Sequence, residues 1–167
     1  MSYFVIIRGP GGVGKSTIGK LLAKRIQAKI IHFDKIMDEL GLDYIPGERW
    51  IPLNKFLKAD EVMIPKFRKI LRKNNLVLDG NFYHKKQVED LIKSLNFPCF
   101  VVTLKASLQE CIKRDKTRKD KLGEQATADV FKLVSAFDFG VMINTQNKTP
   151  EETVKEIFSY LPKNDPS

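Results

Sequence analysis

Nine residues near the start of the chain, Gly9-Pro-Gly-Gly-Val-Gly-Lys-Ser-Thr17, constrain it more than any other stretch. They satisfy G-x-x-x-x-G-K-[ST] in full. The run before them, Tyr3-Phe-Val-Ile-Ile7, is continuously apolar, as a strand covered on both faces reads. After them Ile18, Leu21, Leu22 and Ile26 recur at helical spacing. A glycine turn between strand and helix lets successive backbone amides point inward, with the positive end of a helix dipole behind them. Such a turn holds phosphates. In it Gly9, Gly11, Gly12, Val13 and Gly14 form the cradle, and Lys15 reaches the outer phosphates. The Ser16 hydroxyl can ligate magnesium and Thr17 can support an inner phosphate. A merely flexible turn explains neither the Lys-Ser pair nor its framing.

The rest of the chain alternates in the same way. Ile30-Ile-His-Phe33 predicts a short strand ending at Asp34, Leu76-Val-Leu78 one ending at Asp79-Gly80, Phe100 to Leu104 a fourth and Val141 to Ile143 a fifth. Leu91, Ile92 and Leu95 mark a helix. Thr149-Pro-Glu-Glu152 is a capping box with proline at the first helical position, so a last helix starts there. Strands alternating with helices predict an α/β fold, a parallel sheet with helices on both faces. Two stretches interrupt the pattern. One is Gly41 to Pro52, rich in glycine, proline and aromatics, leading into a helix that Pro65 should kink. The other is a basic segment from Arg114 to Glu124.

The net charge is +9, and two short segments carry all of it. Residues 66–73 have five cations and no carboxylate, and residues 113–121 have six cations against two carboxylates. That focusing favours an anionic ligand, phosphates or nucleic acid, although solvated helix faces would read alike. Cys99 and Cys111 form no CxxC and have no histidine nearby, which excludes a zinc knuckle and a disulfide framework. The apolar start is too short to cross a bilayer and lacks a cleavable leader, so a soluble cytoplasmic protein with no membrane partner is expected. One domain over residues 1–161 is expected, followed by a disordered tail at 162–167.

A phosphate loop serves switches, motors and transferases. The switch motifs are incomplete here: Asn147-Lys-Thr-Pro150 lacks the aspartate of a guanine reader, and Asp79-Gly-Asn-Phe82 lacks a second glycine. Asp79 is followed by Gly80 rather than by a water-activating glutamate, which favours transfer to a bound acceptor. At this point the chain resembles a family. GPGGVGKST, Asp34, LVLDGNF (Leu76 to Phe82) and the basic Arg114-xxx-Arg118 together look like the small P-loop kinases. These include nucleoside-monophosphate, shikimate, gluconate, adenylylsulfate and polynucleotide 5′-hydroxyl kinases. The resemblance runs to about Tyr160. It implies a three-layer fold with a five-stranded parallel sheet in order 2-3-1-4-5, an ATP–magnesium donor, a helical lid at about 114–124 and an acceptor-binding region at about 41–73. In the polynucleotide-kinase-like branch an arginine closely follows the strand-end aspartate. Here Lys35, Ile36, Met37 and Asp38 follow Asp34.

The resemblance also assigns roles. Asp34 would take the proton of an acceptor hydroxyl, or else simply cap the helix after it. Asp79 would sit near magnesium, Gly80 would let the acceptor approach, and Asn81 would bind it. Arg114 and Arg118, four apart, would share a helix face and grip the phosphoryl group or the adenine. Against that, Glu110 could pair with Arg114, and Asp115 with Lys119. Tyr44, Arg49 and Trp50 lie where related kinases build the acceptor pocket, and Thr145 where they wall the adenine. His32 reads as strand packing, His84 as a helix-start residue, Met63 and Phe67 as core, and Arg8 has no evident role. The acceptor stays open between a small molecule or nucleotide and a polynucleotide 5′ end. An ATP-binding regulatory module without transfer is the reading from another class.

Overall fold

The structure is a computed structural model that describes residues 1–163. Of the expected tail, 164–167 lie outside the described residues. Five strands and seven helices follow in order: β1 (Phe4–Arg8), α1 (Lys15–Arg25), β2 (Lys29–His32), α2 (Phe33–Glu39), α3 (Leu53–Leu71), β3 (Leu76–Gly80), α4 (Lys85–Leu95), β4 (Cys99–Lys105), α5 (Leu108–Lys116), α6 (Glu124–Val134), β5 (Val141–Asn144) and α7 (Pro150–Ser159). All strand pairs are parallel and the sheet order is β2-β3-β1-β4-β5, as the resemblance implies.

Alternation along each strand builds two cores. Phe4, Ile6, Leu76, Leu78 and Val101 face one cluster, completed by Phe33, Phe56, Phe67 and Leu91 from α2, α3 and α4. Val5, Ile7, Val77, Val102 and Leu104 face the other, against Ile18 and Leu22 of α1 and Val154 and Ile157 of α7. Both faces being covered is what makes β1 apolar at every position, and each such buried side chain contributes about 1.5–3 kcal/mol. Met63 and Phe67 are core, as read from the sequence. The capping box at Thr149 forms with both reciprocal hydrogen bonds. α3 runs unbroken through Pro65, which is exposed. Among the described residues no helix is long and apolar enough to cross a membrane. The chain turns to one side of β1 for β2 and β3 and to the other for β4 and β5, so a ligand site belongs at the carboxyl end of β1.

Candidate active site

That end carries the glycine loop. A Cβ on Gly9 would lie 2.9 Å from Val13 Cγ1 and 3.0 Å from the Leu104 carbonyl, so only glycine lets the loop lie down on β4. Gly12 has φ +78°, and a Cβ there would stand 2.4 Å from the Cys111 carbonyl oxygen. The loop is therefore seated against α5 as well as against the sheet. Lys15 opens α1 and folds back, donating to the Pro10 carbonyl at 2.8 Å. Burial pushes its pKa down, while Asp34 and Asp79 oppose that shift.

In front of the loop lies a cleft of about 440 Å³. It is lined by Gly11, Gly12, Gly14, Lys15, Ser16 and Thr17, and across from them by Asp34, Asn81, Arg114 and Arg118. Asp34 does not end β2, as its sequence position suggested. The strand stops at His32 and Phe33 opens α2, so Asp34 sits in the first helical turn. The cause is Phe33, 1% exposed and packed on the rings of Phe56 and Phe82, which draws the chain off the sheet early. Asp34 is not the N-cap, and among the described residues its carboxylate accepts no hydrogen bond. Water reaches it, yet the protein walls around the cleft strip enough hydration to raise its pKa, with Lys15 pulling the other way.

Asp79 does not line this cleft. It is 3% exposed and lies beneath it, its Oδ1 and Oδ2 at 2.9 and 2.8 Å from His32 Nδ1. A carboxylate only accepts, so the ring nitrogen carries the proton. Gly19 of α1 allows this burial, since a Cβ there would stand 3.0 Å from Asp79 Oδ2. Burial raises the Asp79 pKa, against the pull of His32 and Lys15. Gly80 is buried too: the place of its Cβ faces Phe33 and Phe82, both at 3.1 Å, rather than open space.

The two arginines expected in a lid part company. α5 ends at Lys116 with Thr117 as its C-cap, so Arg118 lies beyond the helix and the two do not share a helix face. Arg114 is largely committed, with four of its five N–H donors used. Its Nε meets Glu110 at 2.8 Å, Nη1 donates to the Val13 carbonyl and Thr145 Oγ1, and Nη2 donates to the Thr145 carbonyl. Arg118 is about half exposed, with a loose contact to Asp115 at 3.8 Å. Asp115 pairs with Arg118 rather than with Lys119, and it accepts the amides of Leu122 and Gly123 at 3.0 Å, which folds the basic segment over the cleft. Thr117, Asp120, Lys121 and Leu122 of that segment reach the cleft wall.

Thr145, 3% exposed, lies with Val13, Gly14, Thr17 and Arg114 in an adjoining recess of about 260 Å³. Arg49 and Trp50 stand apart from both, on the exposed loop before α3, with the guanidinium 4.9 Å above the indole. His84 occupies the N-cap position of α4 and bonds the Ile51 carbonyl at 2.9 Å.

Two residues the sequence reading passed over belong to this framework. His32, taken for packing, holds Asp79, and only the register of β2 against β3 brings the two together. Arg8 is wholly buried, directly before the loop. Its guanidinium donates to the carbonyls of Phe82, Phe137 and Val134 and to Thr103 Oγ1, and it lies 4.0 Å above the Phe137 ring. Burial pulls its pKa down to about 10. A charged residue inside an apolar strand was the visible clue, but its partners come from three distant segments.

Known proteins place this arrangement. Residues 4–137 match the AAA domain family (AAA_33). A Pyrococcus abyssi protein named "Putative adenylate kinase" is 30% identical, covering 94% of this chain and 83% of its own. The cytidylate kinase of Sulfurisphaera tokodaii is 28% identical over 94% of both chains. The APS kinase of Mycobacterium tuberculosis shares the fold with a TM-score of 0.69 at 15% identity, over 95% of this chain and 96% of that one. The chain belongs to the AAA domain family, as one of its small P-loop kinases.

Proposed function

We propose that the chain transfers the γ-phosphoryl group of ATP, held with magnesium, to a small-molecule or nucleotide acceptor. The observation that carries this is the gathering of the glycine loop, Lys15, Asp34, Asn81 and Arg118 around one cleft. The donor set suits a triphosphate: a glycine loop seated at Gly12 against the Cys111 carbonyl of α5, a lysine at its mouth and a helix N-terminus behind it. It also suits magnesium. Among the described residues no three His, Cys, Asp or Glu side chains gather for a metal, and this ion usually takes only one or two protein ligands beside phosphates and water. Ser16 would supply one, with Asp79 oriented by His32 beneath. When bound, magnesium–ATP supplies the transferable phosphoryl group.

The chain's own groups then divide the work. Loop amides and Lys15 hold the phosphate charges. Asp34 accepts the proton of an acceptor hydroxyl, or orients an acceptor phosphate that has none to lose. Asn81 holds the acceptor, and Arg118, on the lid we assign to 114–124, steadies charge during transfer. Arg114 and Thr145 brace the adenine side. The exposed loop with Tyr44, Arg49 and Trp50, within the 41–73 region, meets the acceptor. The relatives named as adenylate and cytidylate kinases support a nucleotide in that place.

The test is ADP release from magnesium–ATP across a panel of nucleosides, nucleotides, sugars, amino acids and oligonucleotides with free 5′ hydroxyls. The expected result is stimulation by one acceptor class, best by a nucleotide, and loss of that stimulation in Lys15→Met. ATP binding with no acceptor-stimulated release would identify a regulatory module instead. Activity confined to oligonucleotide ends would identify a polynucleotide kinase.

A further inference from the structure

The cleft accounts for only one of the two basic segments. Residues 113–121 form the end of α5 and the segment folded over the cleft. Residues 66–73 lie elsewhere. α3 descends antiparallel to the strands and delivers the chain to the amino end of β3, so its last turns reach the opposite edge of the sheet, about 16 Å from the loop at the strand rise of roughly 3.3 Å per residue.

Other cations gather there. Lys24 closes α1, Lys29 opens the edge strand β2, Lys69, Arg72 and Lys73 close α3, and Lys93 closes α4. The tertiary structure stitches these ends together. Lys29 donates its amide to the Asn75 carbonyl, and Asn75 Nδ2 donates to the Ile26 carbonyl beside Arg25. Arg68 donates to the Ser94 carbonyl at the end of α4. All six cations are exposed, and among the described residues none forms an ion pair. The segments 24–29, 66–75 and 93–98 contain no carboxylate.

A helix dipole favours a cation in the last turn, and five of the seven helices end on one. Dipole pairing does not account for Lys29, which is on a strand, or for the continuation through Arg72 and Lys73 past the last residue of α3. Of the exposed large apolar residues, Leu40, Tyr44, Ile45, Trp50, Val62 and Leu122 belong to other parts of the chain, and only Met1, before β1, and Tyr160, after α7, stand at this end of the sheet. A membrane-binding face couples its lysines to a stripe of apolar side chains that enter the lipid. This one offers six cations against two apolar residues on separate elements, and that suits a phosphodiester backbone.

We propose that this edge, remote from the catalytic cleft, is a docking face for the backbone of a nucleic acid, which it holds without phosphorylating it. The probe is a fluorescein-labelled 20-nucleotide single-stranded RNA with a phosphorylated 5′ end, titrated with the full chain in 50–200 mM KCl. Six phosphate contacts to a single strand give a log–log salt slope of about −4. Lys69→Glu/Arg72→Glu/Lys73→Glu should weaken binding at least tenfold at 50 mM KCl and flatten the slope by about two. Lys24→Glu/Lys29→Glu, on other elements, should weaken it in the same direction should the triple variant fail to fold. Both should keep wild-type acceptor-dependent ADP release, and magnesium–ATP should not compete with the RNA. The proposal is overturned by an absence of binding at 50 mM KCl, by displacement with magnesium–ATP, or by folded variants that bind as wild type does. It is equally overturned if phosphatidylserine vesicles bind and the oligonucleotide does not.

Discussion

His32 Nδ1 lies 2.8 Å from Asp79 Oδ2, and this pair joins the ends of two neighbouring strands directly beneath the phosphate loop. Asp79 is otherwise sealed by α1, and burial already lifts its pKa. Taking His32 away removes the strongest opposing charge, so the pKa should climb further. In His32→Ala the acid limb of the kcat/KM profile should move to higher pH, and stability at pH 7 should fall by about 1–3 kcal/mol for an unpaired buried carboxylate. A pH–rate series with a thermal melt checks both; an unmoved acid limb would remove Asp79 from the working site.

Gly12→Ala tests the seat of the loop. The new methyl would stand 2.4 Å from the Cys111 carbonyl at a backbone angle that alanine resists. ATP affinity by calorimetry should drop at least tenfold while the thermal midpoint changes by only a few degrees, because the strain is local to the loop and α5. Undiminished affinity would mean that the loop relaxes away from α5 freely.

Arg114 and Arg118 should separate in kinetics. Arg114→Ala breaks the knot joining α5, Val13 and Thr145, so ATP affinity and stability should both decline, the latter by roughly 2 kcal/mol. Arg118→Ala should leave folding and ATP binding near wild type and lower kcat by about a hundredfold, as loss of one charge-stabilising group does. Equal effects on kcat and on stability for both variants would defeat this division of roles.

Asp60 makes stability depend on pH. It lies 4% exposed between α3 and α4, and burial lifts its pKa to about 7. Its Oδ1 accepts from Gln87 Nε2 at 3.2 Å, while among the described residues its Oδ2 and Gln87 Oε1 have no partner. The folded state thus holds a proton that the unfolded chain releases near pH 4. Its stabilising contribution is full below that pH, is lost as pH rises towards 7, and is absent above, a span of about 4 kcal/mol. Asp60→Asn cannot ionise, so its melting temperature should fall less than wild type between pH 5 and 8. Parallel curves would show that Asp60 is not the group responsible.

Arg8→Met should be among the most damaging single changes. It leaves the carbonyls of Phe82, Val134 and Phe137 without their donor in a sealed site, at a cost of about 3 kcal/mol or more by urea unfolding. Arg8→Lys should recover only part, since one ammonium cannot reach all the acceptors of a planar fork.

The sheet order was implied only by the resemblance to a family, whereas the residues of the loop, the apolar strands and the capping box at Thr149 were legible in the chain itself. Each depends on contacts between near neighbours or on a strict period: glycines placed for a curl, apolar runs for doubly covered strands, a threonine and a glutamate three apart. Packing between distant segments decided the rest. Phe33 meets Phe56 and Phe82 and so ends β2 two residues before Asp34, and Asp79 turns inward because His32 and Gly19 receive it there. Arg8 finds its acceptors on three remote segments, and α5 stops between two arginines that their spacing alone would put on one helix. Local periodicity sets what an element is, but where a buried polar group finds its partner depends on which segments close over it, and that is a property of the folded chain.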